Sequence, residues 1–172
     1  ATSQDHLGYS VSISGDLVIA GAKYKDDDGT DSGAAYVFRR TGTSTWHSGR
    51  KILASWDAAA GDQFGQSVAI DGDFAIVGAP GVDSYNNIGV YLAGNLGAAY
   101  VFRRFGAVGT NNWQHEIKLT ASDTAPADSF GFDVGISGDY AIVGSLYDDD
   151  DGSSSGSAYI YRRTQSGVWA ET

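Results

Sequence analysis

Three short runs along the chain alternate large branched residues with small ones: Val11-Ser12-Ile13, Val68-Ala69-Ile70 and Val134-Gly135-Ile136. A period of two predicts a strand, and the small residues predict that one of its faces is cramped. Each run ends in a turn with a central glycine, Ser14-Gly15-Asp16, Asp71-Gly72-Asp73 or Ser137-Gly138-Asp139. A glycine turn between two apolar runs signals a hairpin. The runs that follow do not alternate: Leu17-Val18-Ile19-Ala20, Phe74-Ala75-Ile76-Val77 and Tyr140-Ala141-Ile142-Val143. A short, wholly apolar run between turn signals predicts a strand buried on both faces, hence a sheet packed between two other layers.

Alternation returns in a third strand at Ala35 to Arg40, with counterparts at 99–104 and 158–163. Tyr36 and Phe38 share one face of it, Val37 and Arg39 the other. A fourth strand is expected near Trp46, Trp113 and Trp169, running through Lys51-Ile52-Leu53 in the first copy and Ile117-Lys118-Leu119 in the second. In the third copy Thr172 is reached before that strand would finish. No stretch carries the helical period.

The chain thus writes one unit three times, starting at Asp5, Asp62 and Asp128. Four hairpin-linked antiparallel strands with the middle ones sandwiched predict an all-β protein built of β-propeller blades. The expected organisation is a single array over 1–172, with blades at about 5–57, 62–123 and 128–172 and the last one incomplete. Closed rings take roughly 4–8 blades, so three cannot close. We therefore expect completion by other protomers or by further sequence, with bare apolar blade faces inviting self-association.

Composition sharpens this picture. A hydrophobic share of 42% with 12% aromatics predicts a packed core despite the net charge of -10. The acidic balance argues against nucleic acid and anionic membranes as partners. No run approaches the ~18–20 apolar residues of a membrane span, and the start lacks a signal-peptide pattern. Cysteine is absent, which excludes disulfides and thiolate metal sites. The chain opens on Ala1 and has no methionine, as expected of a processed product or a piece of a longer protein.

Asp62, Phe64 and Gly65, followed by Gly78-Ala79-Pro80, carry a resemblance to the FG-GAP repeat, the blade unit of integrin alpha-chain propellers and of many bacterial secreted proteins. The resemblance spans essentially the whole chain in three in-phase copies. The first copy departs at Leu7 and Lys23, and the third has Ser145-Leu146 in place of Ala-Pro. The resemblance implies an extracellular or cell-surface propeller for recognition and adhesion, often with calcium in its blade loops, and no catalysis.

The acidic loops are the most chemically distinctive stretches. Lys25 to Gly33 holds Asp26-Asp27-Asp28-Gly29, and Asp148 to Gly156 opens with four consecutive aspartates. Oxygen-only ligands around a glycine turn suit Ca²⁺ rather than zinc. Placed on Gly29 and Gly152, the family's calcium loop implies Asp26 and Asp28, and Asp149 and Asp151, as ligands. Its first position then falls on Tyr24 or Tyr147 and its last on Ser32 or Ser155, so two acids are missing from each loop. The alternative is a solvated acidic hairpin that aids solubility.

The Arg39-Arg40, Arg103-Arg104 and Arg162-Arg163 pairs and the three phased tryptophans are read as structural, since each recurs at one blade position. Gly81 to Leu96 breaks the repeat, and Tyr85, Asn86, Asn87 and Tyr91 within it are the expected contact surface. His6, His47 and His115 fall at unrelated positions of the repeat. No nucleophile or phosphate motif accompanies them, so an enzyme is not expected. The resulting expectation is a non-catalytic extracellular module binding protein or glycan in cell adhesion. Two alternatives stay open: a structural subunit assembling head to tail into a ring or filament, and three blades of a larger propeller.

Overall fold

The computed structural model of the chain describes residues 4–54, 56–85, 91–106 and 111–172, with Tyr85 described by its backbone. Among them there is no helix; the structure is three four-stranded antiparallel sheets and one small hairpin. The first sheet holds β1 (Val11–Ser14), β2 (Leu17–Ala22), β3 (Ala34–Arg39) and β4 (Arg50–Ile52) in that order. The second holds β5 (Val68–Asp71), β6 (Phe74–Ala79), β9 (Ala98–Phe105) and β10 (Asn112–Leu119). Between β6 and β9 lies the hairpin of β7 (Ser84–Tyr85) and β8 (Tyr91–Ala93). The third sheet holds β11 (Phe130–Ser137), β12 (Tyr140–Ser145), β13 (Ser157–Arg163) and β14 (Trp169–Glu171).

The glycine turns set the register of each first hairpin: Ser14 pairs with Leu17, Asp71 with Phe74, and Ser137 with Tyr140. The expected truncation of the last unit is a matter of length. β14 has three residues, as β4 does, against eight in β10. Three of the four tryptophans hold one phase, Trp113 opposite Arg104, Trp169 opposite Arg163, and Trp46 bridging Arg40.

The sheets stack face to face through two apolar layers. Ile19, Ala35 and Val37 of the first meet Val77, Tyr100, Phe102 and Trp113 of the second, with Phe64 between them. Ile76, Ala99 and Val101 of the second meet Val143, Tyr159, Tyr161 and Trp169 of the third around Phe130. The reading of the middle strands as buried on both faces holds along β6, where five of six residues are buried. In β12 it fails, because among the described residues no sheet covers the outer face and Tyr140 and Ile142 stand exposed.

Backbone hydrogen bonds sew each seam. The N–H groups of Gly61, Gln63 and Phe64 donate to the carbonyls of Thr30, Asp31 and Ser32 at 2.9, 3.0 and 3.0 Å. Those of Ala127, Ser129 and Phe130 donate to Gly94, Asn95 and Leu96 at 3.0, 2.9 and 3.0 Å. Each seam also carries a parallel bridge, Gly33 to Phe64 and Gly97 to Phe130.

Candidate functional site

The connections from second to third strand hold the residues of chemical interest. A single backbone bond fixes their equivalence. The N–H of Gly33, Gly97 or Gly156 donates to the carbonyl of Lys25, Val82 or Asp148, respectively, at 2.8–3.0 Å. One blade position therefore carries a cation, an apolar residue and an anion in turn.

In the first blade Lys25 lies 3.6 Å from Asp5 and 3.3 Å from Asp27, and Lys51 lies 2.8 Å from Asp27. The bond from Lys51 and the two positive charges hold the Asp27 carboxyl below its usual range, against some desolvation. Asp26 accepts the Asp31 N–H through Oδ1 at 2.8 Å, and Asp28 is exposed. The middle aspartate of the run is thus the one neutralised, by lysines of the same blade.

In the third blade Asp149 and Asp151 are exposed, while Asp148 is buried and turned inward. Its Oδ2 lies 2.7 Å from the Tyr159 hydroxyl, which is also 2.7 Å from Asp123 Oδ1. Hydrogen bonding from Tyr159 lowers the Asp148 pKa, and the negative charge of Asp148 raises that of Asp150. Burial, followed by its two carboxylate neighbours, raises that of the Tyr159 phenol. Among the described residues no lysine or arginine forms an ion pair with Asp148 to Asp151. Nor do three acidic or histidine side chains converge as a metal set. Sequence reasoning missed Asp148 as the inward carboxylate; its signal was the charge reversal from Lys25 at a phased position.

In the second blade the β7–β8 hairpin is closed at its base by the Asn95 N–H donating to Asp83 Oδ1 at 2.8 Å. Tyr91 and Leu92 are 57% and 60% exposed, so the hairpin presents apolar side chains to solvent. Asn86 and Asn87 lie outside the described residues. Beside its base is a cavity of about 320 Å³ lined by Asp57, Val82, Asp83, Leu96, Lys118 and Thr124. Asp57 Oδ2 there accepts from Lys118 at 2.6 Å and from the Tyr100 hydroxyl at 2.7 Å.

Behind this cluster sits Asp62, the first residue of its repeat, 4% exposed and accepting the Ala59 N–H at 2.7 Å. Burial raises its pKa to about 6, with Asp57 adding to the rise and the Ala59 bond opposing it. Asp128, at the same position of the third repeat, is also raised by burial. A carboxyl whose folded pKa lies above its unfolded one stabilises the fold most when protonated. Stability from Asp62 is therefore full below about pH 4 and is lost as pH rises through about 6. Asp62→Asn is expected to remove this slope, worth roughly 2–3 kcal/mol, as seen in urea midpoints from pH 4 to 7. An unchanged slope would assign the dependence to other groups.

The second arginine of each pair is structural. Arg40 and Arg104 bond through Nε to Asp16 and Asp73 at 2.8 Å, bracing the hairpin turns of their own blades. Arg163 instead reaches Glu116 of the second blade at 3.1 Å, and the Trp169 indole N–H donates to the same carboxylate at 3.1 Å.

Phased antiparallel four-stranded sheets, stacked through apolar faces and sewn by loop backbone, define the molecule as an array of β-propeller blades. Comparison with known families matches the FG-GAP repeat over residues 1–38, 46–102 and 113–161, so the chain belongs to the FG-GAP repeat family. A search of curated proteins found no match.

Proposed function

We propose that the chain is a non-catalytic, extracellular or cell-surface propeller module that binds protein or glycan in adhesion through the loop face of its second blade. The observation that carries this reading is the β7–β8 hairpin. It interrupts an otherwise phased repeat and projects Tyr91 and Leu92 from a rigid sheet. Exposed aromatic and aliphatic side chains on a fixed scaffold lose little entropy on binding and serve as anchors. Family membership supports the extracellular setting.

Calcium enters the proposal as a stabiliser of the acidic loops, with Asp26 and Asp28 or Asp149 and Asp151 among its ligands. The third loop is the better candidate, since its aspartates pair with no basic side chain among the described residues. The first loop already has Lys25 and Lys51 on Asp27.

One experiment addresses both parts: retention of the protein on immobilised glycans and extracellular-matrix proteins, in millimolar calcium and in chelator. Tyr91→Ala combined with Leu92→Ala is expected to weaken retention about 30-fold or more, as for a hot-spot anchor. Unchanged retention would remove the hairpin from the site, and equal melting temperatures in calcium and chelator would remove the ion.

A further inference from the structure

The two ends of the blade stack are open, and they are the two halves of an interface the molecule already contains twice. On the third sheet the outer face presents Ile142 and Ile160 at 48% and 45% exposure. By strand pairing these correspond to Ile76 opposite Val101 and to Ile19 opposite Val37, all fully buried under the next blade. Flanking the strands of the first sheet, Leu7 before β1 and Trp46 between β3 and β4 are 41% and 46% exposed. Their counterparts Phe64 and Phe130, and Trp113 and Trp169, are exposed by 4% or less, each against the preceding blade. One open face is the kind that is covered, and the other is the kind that covers.

The backbone repeats this complementarity. At both internal seams the donor segment holds two non-standard turns at positive φ, Gly61 and Gln63 at 88° and 56°, Ala127 and Ser129 at 74° and 56°. Gln4 and His6 hold the same pair at 77° and 52°, with no seam beside them among the described residues. On the acceptor side Asp31 and Asn95 sit at 56° and 53°, and Ser154 at 52°. Non-glycine residues at positive φ are uncommon and strained, so matched outliers at both ends mark segments already shaped for docking. Among the described residues nothing accepts from the N–H of Gln4, His6 and Leu7, and nothing donates to the carbonyls of Ser153, Ser154 and Ser155.

We infer that the third blade of one copy docks on the first blade of a second copy of this chain, head to tail. Leu7 and Trp46 of the second copy cover Ile142 and Ile160 of the first. The N–H groups of Gln4, His6 and Leu7 donate to the carbonyls of Ser153, Ser154 and Ser155, reproducing the internal seams. Continuity with the internal seams selects this occupant: the faces match each other as they match within the stack. It rests on the propeller reading and adds the partner. Two copies supply six blades, within the roughly 4–8 that close a ring.

The test is absolute mass in solution by light scattering, with thermal unfolding as a check on folding. The chain is expected at twice its 18.0 kDa mass. Ile142→Asp with Ile160→Asp, and separately Leu7→Asp with Trp46→Asp, are each expected to give monomers that still unfold cooperatively, since all four side chains are substantially exposed in the single chain. Mixing the two variants joins one intact face of each and is expected to restore a pair. A wild-type chain at its single mass at about 100 µM would overturn the inference, as would an assembly indifferent to either variant. A single-mass chain that still loses ligand retention on Tyr91→Ala and Leu92→Ala would sink the junction while leaving the binding module intact.

Discussion

Ile76→Ala should destabilise the fold by about 2–5 kcal/mol, whereas Ile142→Ala, the same residue at the same blade position, should cost the isolated chain less than about 1 kcal/mol. Ile76 is fully buried between the second and third sheets, so its removal leaves a cavity in the apolar layer that also holds Ala99, Val101 and Val143. Ile142 is 48% exposed on the open face, and the groups around it lose little contact when it is trimmed. A domain of ordinary stability has about 5–15 kcal/mol, so the first change alone removes a large share of it. Urea midpoints measured at a protein concentration too low for association would separate the two. Equal losses would mean that the outer face of the third sheet is covered by something other than a separable partner.

That contrast also marks what the sequence could and could not reveal. The strands, their order and the hairpin turns were legible because the unit is written three times in phase and each copy checks the others. Val68-Ala69-Ile70 and Val134-Gly135-Ile136 both emerged as first strands, and the match to the family follows the same phase. A repeat erases position within the array, however. Trp46 is indistinguishable from Trp113 and Trp169 by phase, yet it is exposed where they are buried, because only they have a preceding blade to pack against.

The acidic loops were legible as loops but not as sites. Spacing selected Asp26, Asp28, Asp149 and Asp151, which are exposed, with Asp26 bonded only within its own loop, while the carboxylates held by side chains of other strands are Asp27 and Asp148. The reason is side-chain direction. Counting from a glycine fixes where a residue falls in the turn, but whether it points to solvent or under the sheet depends on Lys51 and Tyr159. Those residues come from third and fourth strands that the loop motif does not contain. The hairpin within Gly81 to Leu96 was visible as an interruption of the repeat, and its pairing of Tyr85 with Tyr91 was not.

Gly97→Ala should be among the most disruptive small substitutions in the chain, and Gly156→Ala the informative control. Both glycines hold positive φ, at +83° and +73°, so an alanine at either adds about 1–2 kcal/mol of backbone strain. They differ in what a β-carbon would meet. At Gly97 it would fall on the backbone of Phe130, well inside contact distance of the carbonyl oxygen, at the bridge that seats the third sheet on the second. At Gly156 the nearest atom is the Leu146 carbonyl oxygen at 3.3 Å, which a small adjustment accommodates. Gly97→Ala must therefore separate the seam as well as strain its own residue, loosening Phe130 from its pocket and exposing the apolar layer behind it. The expected loss exceeds 3 kcal/mol, and the amides of Ala127, Ser129 and Phe130 should exchange with solvent far faster while the first blade keeps its protection. In the single chain, at a concentration too low for association, Gly156→Ala should leave those amides protected and lose only the strain. If both variants lost the same stability and the same protection, the seam would owe its strength to side-chain burial alone. The close approach of loop and strand backbones would then not be the feature that fixes one blade on the next.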